Sequence, residues 1–216
     1  LQPFTISEIM LANGRSIERL AQARMERNFL SFGREYDLFL LGSYVLEVVE
    51  RLTREGVADL FIWDELCAVL QELDDQGQWA SGFTASDDHA RFGLITRLFA
   101  LRLLDRFGYR PELRACVACE SSLDPANLAF SLLQGGLLCE SCVPTYMDSQ
   151  PISVACVKLL REALRLPIAS SARLLVSPLD TRFTITLVDQ MLSVQLQEPL
   201  RTSRLAAPVQ EHGIFV

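Results

Sequence analysis

Two Cys-x-x-Cys pairs constrain this chain more than any other feature of its sequence. The pairs are separated by 19 residues and comprise Cys116, Cys119, Cys139 and Cys142. This spacing is typical of a four-thiolate zinc site, because each short turn places two sulfurs on one side of a loop. Gly135 and Gly136, just before the second pair, can adopt the positive φ angles of a tight turn. The sequence therefore predicts a zinc-finger-like module over residues 112–147.

Three alternative roles for the four cysteines have weaker support. Two pairs of core thiols that arose by chance are disfavoured by the regular spacing. Disulfides need an oxidising compartment, and no secretion signal opens the sequence. A thioredoxin-like redox site would need only one pair, in a strand-to-helix unit. Since four thiolates leave no open position for water, we expect the zinc to be structural.

An enzymatic function has little support in the sequence. Neither His89 nor His212 lies in the His-x-Glu pattern of a zinc deaminase. We find no Ser-His-Asp arrangement and no glycine loop that would cradle a phosphate. Cys67 and Cys156 are expected to be core residues. We therefore expect no catalytic residues, with a metal-dependent enzyme of unrecognised type as an alternative.

Charge is unevenly distributed along the 216 residues. The net charge is −7, with −9 in residues 1–88 and +2 in residues 89–216. This balance excludes a wholly basic protein that coats nucleic acid. Half of the residues are apolar and 22% are charged, which predicts a folded chain. No uncharged run reaches the roughly 20 apolar residues of a bilayer span, so we expect no membrane partner.

Arginines precede the first cysteine pair in a regular pattern. The set is Arg91, Arg97, Arg102, Arg106, Arg110 and Arg114. The last four are four residues apart and would share one helix face, although Gly108 and Pro111 prevent a single straight helix. We predict an anion site that contacts phosphates of nucleic acid or an acidic peptide. The alternatives are a solvated helix face and pairing with acids of the preceding helices.

The hydrophobic pattern predicts a β-hairpin followed by helices. Asn13-Gly14, between apolar runs at 4–11 and 17–23, is a strong hairpin signal. Helical periodicity predicts five helices, over residues 34–56, 59–73, 89–107, 154–166 and 180–196.

The helix ends are predicted from their local residues. We expect the second helix to close in the acidic, glycine-containing stretch 74–77. A loop over 76–88 is then expected to supply an N-cap to the third helix, which Gly108 ends. Pro151 is expected to open the fourth helix and Asp180 to cap the last. The tail from Ala206 is expected to be loosely ordered.

The order of these motifs along the chain is specific. The third helix ends in Leu103 to Pro111 and runs directly into the first cysteine pair, and Gly135 to Leu138 precede the second pair. Pro199 to Arg204 follow the last helix. Over essentially the whole chain, this order resembles the RecO family of bacterial recombinational DNA-repair proteins.

The resemblance implies an OB-fold barrel followed by an α-helical domain with a zinc-finger-like insert. We therefore expect an α+β, mainly α-helical fold. Residues 1–28 would be the C-terminal strands of an incomplete OB-fold. Residues 29–216 would be a helical bundle with the inserted four-cysteine module. Since the sequence starts at Leu1, we expect it to be truncated at its N-terminus.

The resemblance also implies a function in the RecF pathway, at the nucleoid in the cytoplasm. RecO proteins bind single-stranded DNA, anneal strands, contact the single-strand-binding protein and join RecR to load RecA onto coated DNA. We expect weak, salt-sensitive DNA binding here, because most DNA contact would lie in the missing barrel. Arg102 and Arg106, beside Phe99, Leu103 and Phe107, would hold the acidic tail of the single-strand-binding protein. The alternative is a zinc-ribbon adaptor protein for transcription or assembly.

Overall fold

A computed structural model describes most of the chain. The described residues are 2–14, 18–79, 86–171, 173–174 and 176–202. They form a mainly helical α+β fold with two small sheets. The predicted loop segment at 80–85 and the tail from Ala206 lie outside the described residues. None of the described helices is long and apolar enough to span a membrane.

An antiparallel hairpin opens the fold, as the sequence predicts. Strand β1 spans Thr5–Ala12 and strand β2 spans Arg19–Asn28, with irregular register at two points. Both strands are largely exposed, because no third described strand covers either face. The hairpin therefore depends on its base for attachment to the helices.

Three phenylalanines attach the hairpin to the helices. Phe4, Phe29 and Phe32 are buried together, and the rings of Phe4 and Phe32 stack with centroids 4.5 Å apart. Gly42 lies directly beneath them, and a Cβ there would meet the Phe4 ring at 2.5 Å. The absence of a side chain at Gly42 lets the helix approach the aromatic cluster closely.

Six α-helices follow in the described part of the chain, and one of them is central. Their bounds are α1 Tyr36–Leu52, α2 Leu60–Trp79, α3 Ser86–Arg106, α4 Val154–Arg165, α5 Ile168–Ser171 and α6 Pro178–Leu196. Every residue from Phe92 to Leu101 on α3 is buried. A helix that is apolar on all sides belongs inside a bundle. Helix α3 accordingly packs against α1, α2, α4, α5 and α6.

Helix α2 continues beyond its predicted end. The acidic, glycine-containing stretch at 74–77 was expected to end the helix, but the helix continues to Trp79. Asp74 is buried and accepts the backbone N–H of Ser31 at 2.7 Å. A Cβ on Gly77 would meet Leu38 and lie 2.8 Å from the Ser31 Cβ. Tertiary packing therefore explains both residues, and the prediction of a helix end there is wrong.

Some of the other helix ends agree with their predictions and others do not. Gly108, at φ +86°, ends α3, and the Tyr109 N–H reaches the Leu104 carbonyl at 2.8 Å, as predicted for a glycine C-cap. The predicted N-cap residues 86–88 instead form the first turn of α3. Ser153 caps α4, so the prediction that Pro151 opens this helix is wrong.

The cap of the last helix also differs from its prediction. Ser177 caps α6, with Pro178 in its first turn. Asp180, the predicted cap, lies three residues later and accepts the Ser177 hydroxyl at 2.7 Å. The Asp180 N–H in turn donates to the Ser177 hydroxyl at 3.1 Å, which is the usual N-cap hydrogen bond.

Candidate metal centre and arginine cluster

A small three-stranded sheet carries the cysteines. Strands β3 (Ala129–Ser131), β4 (Gly136–Leu138) and β5 (Ser149–Pro151) pair antiparallel in the order β4-β3-β5. Gly135, at φ +71°, closes the β3–β4 turn, with its N–H on the Ser131 carbonyl at 3.0 Å. This glycine therefore forms the hairpin that leads into the second cysteine pair.

Strand β4 links the module to the bundle. Leu137 packs into the main helical core, whereas Leu138 packs against Cys116 and Cys139. Successive side chains of a strand point to opposite faces, so one strand serves two clusters. Phe130 on β3 is fully buried in the main core as well.

Each cysteine pair forms a tight turn. In the first, the Cys116 N–H donates to the Ser121 carbonyl at 3.0 Å, and Glu120 takes a positive φ of 60°. In the second, the N–H groups of Cys142 and Val143 both donate to the Cys139 carbonyl, at 3.0 and 3.1 Å. The turns bring each pair of sulfurs to the same side of the backbone.

The four sulfurs converge on one point. The Sγ atoms of Cys116, Cys119, Cys139 and Cys142 all lie within 4.8 Å of one another. The Cys119 and Cys139 sulfurs are 3.7 Å apart. A zinc ion with Zn–S bonds of about 2.3 Å needs tetrahedral edges of about 3.8 Å, so the geometry fits a metal ion. No disulfide joins the cysteines.

The pKa values of two of the cysteines are shifted by their neighbours in the cluster. Hydrogen bonds from the hydroxyls of Ser141 and Ser121 lower the pKa of Cys139 to about 5. Contacts with the sulfurs of Cys119 and Cys139 raise the pKa of Cys142 to about 12. A second thiolate is unfavourable beside the first unless a cation offsets the repulsion. The cluster is therefore suited to hold a metal ion.

The predicted ligands are brought together, but sequence reasoning missed the residues that position them. The guanidinium of Arg161 on α4 donates to the Leu113 carbonyl, through Nε at 3.0 Å. The backbone of Glu112 joins the module sheet, since the Leu137 N–H donates to its carbonyl at 2.8 Å. The pairing of Glu112 with β4 is non-local and leaves no sequence motif.

Arg97 is a structural residue. It is fully buried, and its guanidinium binds both carboxylate oxygens of Asp189 on α6, with the closest contact at 2.9 Å. The guanidinium carbon lies 4.0 Å from the ring centre of Tyr44, whose hydroxyl donates to Asp189 at 2.9 Å. Burial raises the pKa of Tyr44 well above its ordinary value. The prediction that Arg97 contacts a nucleic acid or peptide is wrong.

Arg102 joins three helices. Its guanidinium binds both carboxylate oxygens of Glu65 on α2, at 2.7 and 2.5 Å. It also donates to the carbonyls of Ala163 and Leu166 at the C-terminal end of α4. The alternative of pairing with acids of the preceding helices therefore describes Arg102. Phe99 and Leu103 are fully buried, so the predicted apolar groove does not lie on this part of α3.

The comparison with known proteins identifies the family. A profile described as "Recombination protein O C terminal" matches residues 34–204. This chain belongs to the RecO family. The matched region contains the bundle and all four cysteines of the metal centre.

Curated relatives carry the name "DNA repair protein RecO". The Dehalococcoides mccartyi (strain ATCC BAA-2266 / KCTC 15142 / 195) protein is 32% identical over 161 residues, which are 74% of this chain and 58% of the relative. The Roseiflexus sp. (strain RS-1) protein is 31% identical over 178 residues, 82% of this chain and 58% of the relative. The chain thus spans 58% of the length of these two relatives.

The other four arginines of the predicted anion site in this RecO-family chain lie at exposed positions. Arg106 is half exposed and binds Asp59 at 3.0 Å, and Arg110 lies 3.7 Å from Asp105. Arg91 and Arg114 are also exposed. Pairing with carboxylates accounts for Arg106 and Arg110, and the prediction that these four arginines bind an anion stays a prediction.

An open groove of this RecO-family chain lies near Arg106. It has a volume of about 490 Å³ between the C-terminal ends of α1 and α6 and the residues that follow α3. Val57, Phe107 and Tyr109 present exposed apolar surface there, beside Arg51 and Arg54. We call it the helix-end groove. It combines apolar walls with cations, and no sequence periodicity marked it.

Proposed function

We propose that this chain acts in DNA repair as a recombination mediator that works by binding, without covalent chemistry. The family match over residues 34–204 carries this proposal. The names of the relatives support it, since each is called a DNA repair protein.

In the finer form of the proposal, the protein binds single-stranded DNA and anneals complementary strands. With RecR, it helps to load RecA onto DNA coated by the single-strand-binding protein. The exposed arginines suit non-covalent contacts with phosphates. We also propose that the β1–β2 hairpin belongs to an OB-fold. In support, a two-stranded hairpin is marginal alone, and Met10, Leu20 and Met25 on it are more than half exposed.

A strand-annealing assay tests the proposal. Short complementary oligonucleotides, one quenched and one fluorescent, are mixed with the chain in the presence of the single-strand-binding protein. We expect faster annealing than without the chain, with a strong decrease at high salt because phosphate contacts are screened. An annealing rate that the chain leaves unchanged at low salt would contradict the mediator function for these residues.

The helix-end groove is the better candidate for the acidic tail of the single-strand-binding protein. Arg54 and Val57 there are exposed, whereas Arg102, Phe99 and Leu103 are engaged in the bundle. Arg54→Glu and Val57→Asp should each weaken the binding of a tail peptide about tenfold, as expected for an anchor residue. Arg114→Glu is the matched control outside the groove. If anisotropy titrations give all three variants the same affinity for the peptide, the groove is excluded as the binding site of the tail.

We propose that the ion at the four cysteines is Zn²⁺ with a structural role. Cys116, Cys119, Cys139 and Cys142 would occupy all four positions of a tetrahedron, which leaves none for water. When bound, the ion would supply cross-linking of the two turns. The protein residues supply the sulfurs, and the Ser121 and Ser141 hydroxyls lie 3.1 Å from the Cys119 and Cys139 sulfurs.

A further inference from the structure

The cysteine module borders a second groove that the proposed function does not use. This open groove has a volume of about 830 Å³. Its walls are the residues that lead into β3, the turn after Cys142 and strand β5 with the residues that follow it. Leu128, Val143, Pro144 and Ile152 supply apolar surface. We call it the module groove, and its volume is suited to a side chain or short segment of a partner.

The sequence around the module groove contains acids and no bases. Residues 115–157 include four acids, Glu120, Asp124, Glu140 and Asp148, and no lysine, arginine or histidine. A Zn²⁺ ion held by four thiolates would add a net charge of −2. The module is therefore the reverse of a nucleic-acid-binding zinc finger, which needs cations to neutralise phosphates.

One carboxylate lines the module groove, and two more contact residues that line it. Glu140 lines it and accepts the Asn127 amide at 3.1 Å. Asp124 accepts the N–H of Ala126 at 3.0 Å, and Asp180 accepts the hydroxyl of Ser153 at 2.6 Å; Ala126 and Ser153 both line the groove. Among the described residues, none of the three carboxylates takes part in an ion pair. Their charge is therefore available to a cation from outside.

The backbone of β5 adds further acceptors. The Ile152 N–H donates to the Leu128 carbonyl, on the side of β3. Because the backbone groups of successive residues in a strand point to alternate sides, those of Ser149 and Pro151 point away from β3. Pro151 has no N–H, and the Ser149 N–H is used by the Tyr146 carbonyl. The outer edge thus presents carbonyl oxygens but no donor, which suits a partner rich in N–H groups.

We propose that the module groove is a docking site for a basic segment of a partner protein. An apolar side chain of the segment enters the groove, while its lysines or arginines face Asp124, Glu140 and Asp180. The exposed side chain of Met147, at 96%, lies just before β5 and extends the apolar contact. Nucleic acid is excluded from this face because its phosphates would meet carboxylates alone. This inference is independent of the proposed recombination function.

A peptide library tests the docking site. The full chain is immobilised and presented with a phage library of random peptides, with the Ala126→Trp variant as the counter-target. Ala126 is exposed and lines the groove, so a tryptophan there fills the groove without replacing a core residue. We expect the enriched peptides to carry lysine or arginine around an apolar centre. No enrichment, or enrichment of peptides without net positive charge, would overturn the proposal.

Anisotropy titrations of one enriched peptide complete the test. Ala126→Trp and Glu140→Lys should each weaken its binding about tenfold or more, since the first blocks the groove and the second reverses a charge that the peptide's cations would face. Ala21→Trp and Glu50→Lys, which make the same changes at exposed positions outside the module, should bind as the unchanged chain does. Metal content of each variant is measured to show that the module stays folded.

A second titration distinguishes protein from nucleic acid. Labelled oligo-dT should bind Ala126→Trp as well as it binds the unchanged chain, and Glu140→Lys should bind it no more weakly. A loss of oligo-dT affinity in Ala126→Trp would assign the groove to nucleic acid and overturn the proposal. Unchanged peptide affinity in both groove variants would overturn it too.

Discussion

The helical bundle and the cysteine module are stabilised by different means, although one strand joins them. The bundle buries nearly the whole circumference of α3 among five other helices. The module's own apolar cluster has only three buried residues, Cys116, Leu138 and Cys139. A cluster this small cannot offset the conformational entropy of the loops around it. The comparison teaches that apolar burial stabilises the bundle, whereas the outer module would depend on the proposed metal ion.

Removal of a metal ligand should produce the largest effect and should be confined to the module. In Cys119→Ser, we expect metal content to fall well below one ion per chain, because the loss of one thiolate leaves the tetrahedral site incomplete. Limited proteolysis should then cut residues 115–145, while far-ultraviolet circular dichroism keeps the helical signal. Cys67→Ser, on α2 outside the cluster, is the control. Unchanged metal content in Cys119→Ser would refute the four-sulfur site.

Loss of the buried Arg97 guanidinium should destabilise the bundle and leave the module unchanged. Arg97→Met leaves Asp189 without its partner beside Tyr44, which should lower the free energy of unfolding by about 3–5 kcal/mol. Urea unfolding followed by circular dichroism measures the loss, and metal content should stay unchanged. Arg110→Met, at an exposed pair, should change stability by less than about 1 kcal/mol. Equal effects of the two variants would remove the distinction between buried and exposed arginines.

A smaller effect should follow when a methyl group is added where α2 packs closely against Ser31 and Leu38. Gly77→Ala adds a methyl group against Leu38 and Ser31, and overpacking should lower the free energy of unfolding by about 1–3 kcal/mol. Alanine is the better helix former, so an isolated helix would gain about 1 kcal/mol instead. Gly33→Ala, which has no atom within 4 Å, is the matched control. Thermal unfolding that shows Gly77→Ala to be more stable than the unchanged chain would contradict tight packing at Gly77.

The smallest effect should come from an acid-sensitive contact at the surface of the bundle. Burial alone would raise the pKa of Glu47, but the Thr202 hydroxyl and the N–H groups of Arg201 and Thr202 outweigh it and lower this pKa. The contribution of Glu47 is thus complete above its ordinary pKa of 4.5 and is lost as pH falls through the lower folded value.

Glu47→Gln tests this contact. The variant should lose about 1 kcal/mol at neutral pH and should lose less stability than the unchanged chain on acidification. Chemical denaturation across a pH series measures both quantities, with Glu50→Gln as the control. An acid response of Glu47→Gln as steep as that of the unchanged chain would contradict the assignment.

Local features of this chain could be predicted from its sequence, whereas non-local contacts could not. The four cysteines were identified correctly as a cluster, because both pairs are short local turns whose spacing has a chemical cause. The hairpin and the glycine end of α3 were also predicted, since turn and cap residues act within a few positions.

Non-local contacts account for what the sequence reasoning missed. Arg97 and Arg102 share a helix with Arg106, yet only the three-dimensional positions of Asp189 and Glu65 make two of them structural. The acidic, glycine-containing stretch 74–77 was predicted to end α2, but tight packing of Gly77 against Ser31 holds it inside the helix. Charge spacing along a helix predicts a shared face, but burial depends on elements that are distant in sequence.

The Arg97–Asp189–Tyr44 contact has a consequence for how the protein is made. Tyr44 and Asp189 are 145 residues apart, and Arg97 precedes Asp189 by 92 residues. During synthesis, α1 to α3 leave the ribosome long before α6, so the core around α3 cannot close until the last helix has emerged. At about 5–20 residues per second, this interval lasts several seconds. Over that time, the apolar surface of α3 and an uncompensated arginine are open to chaperones and to neighbouring chains, and late closure becomes the step most exposed to aggregation.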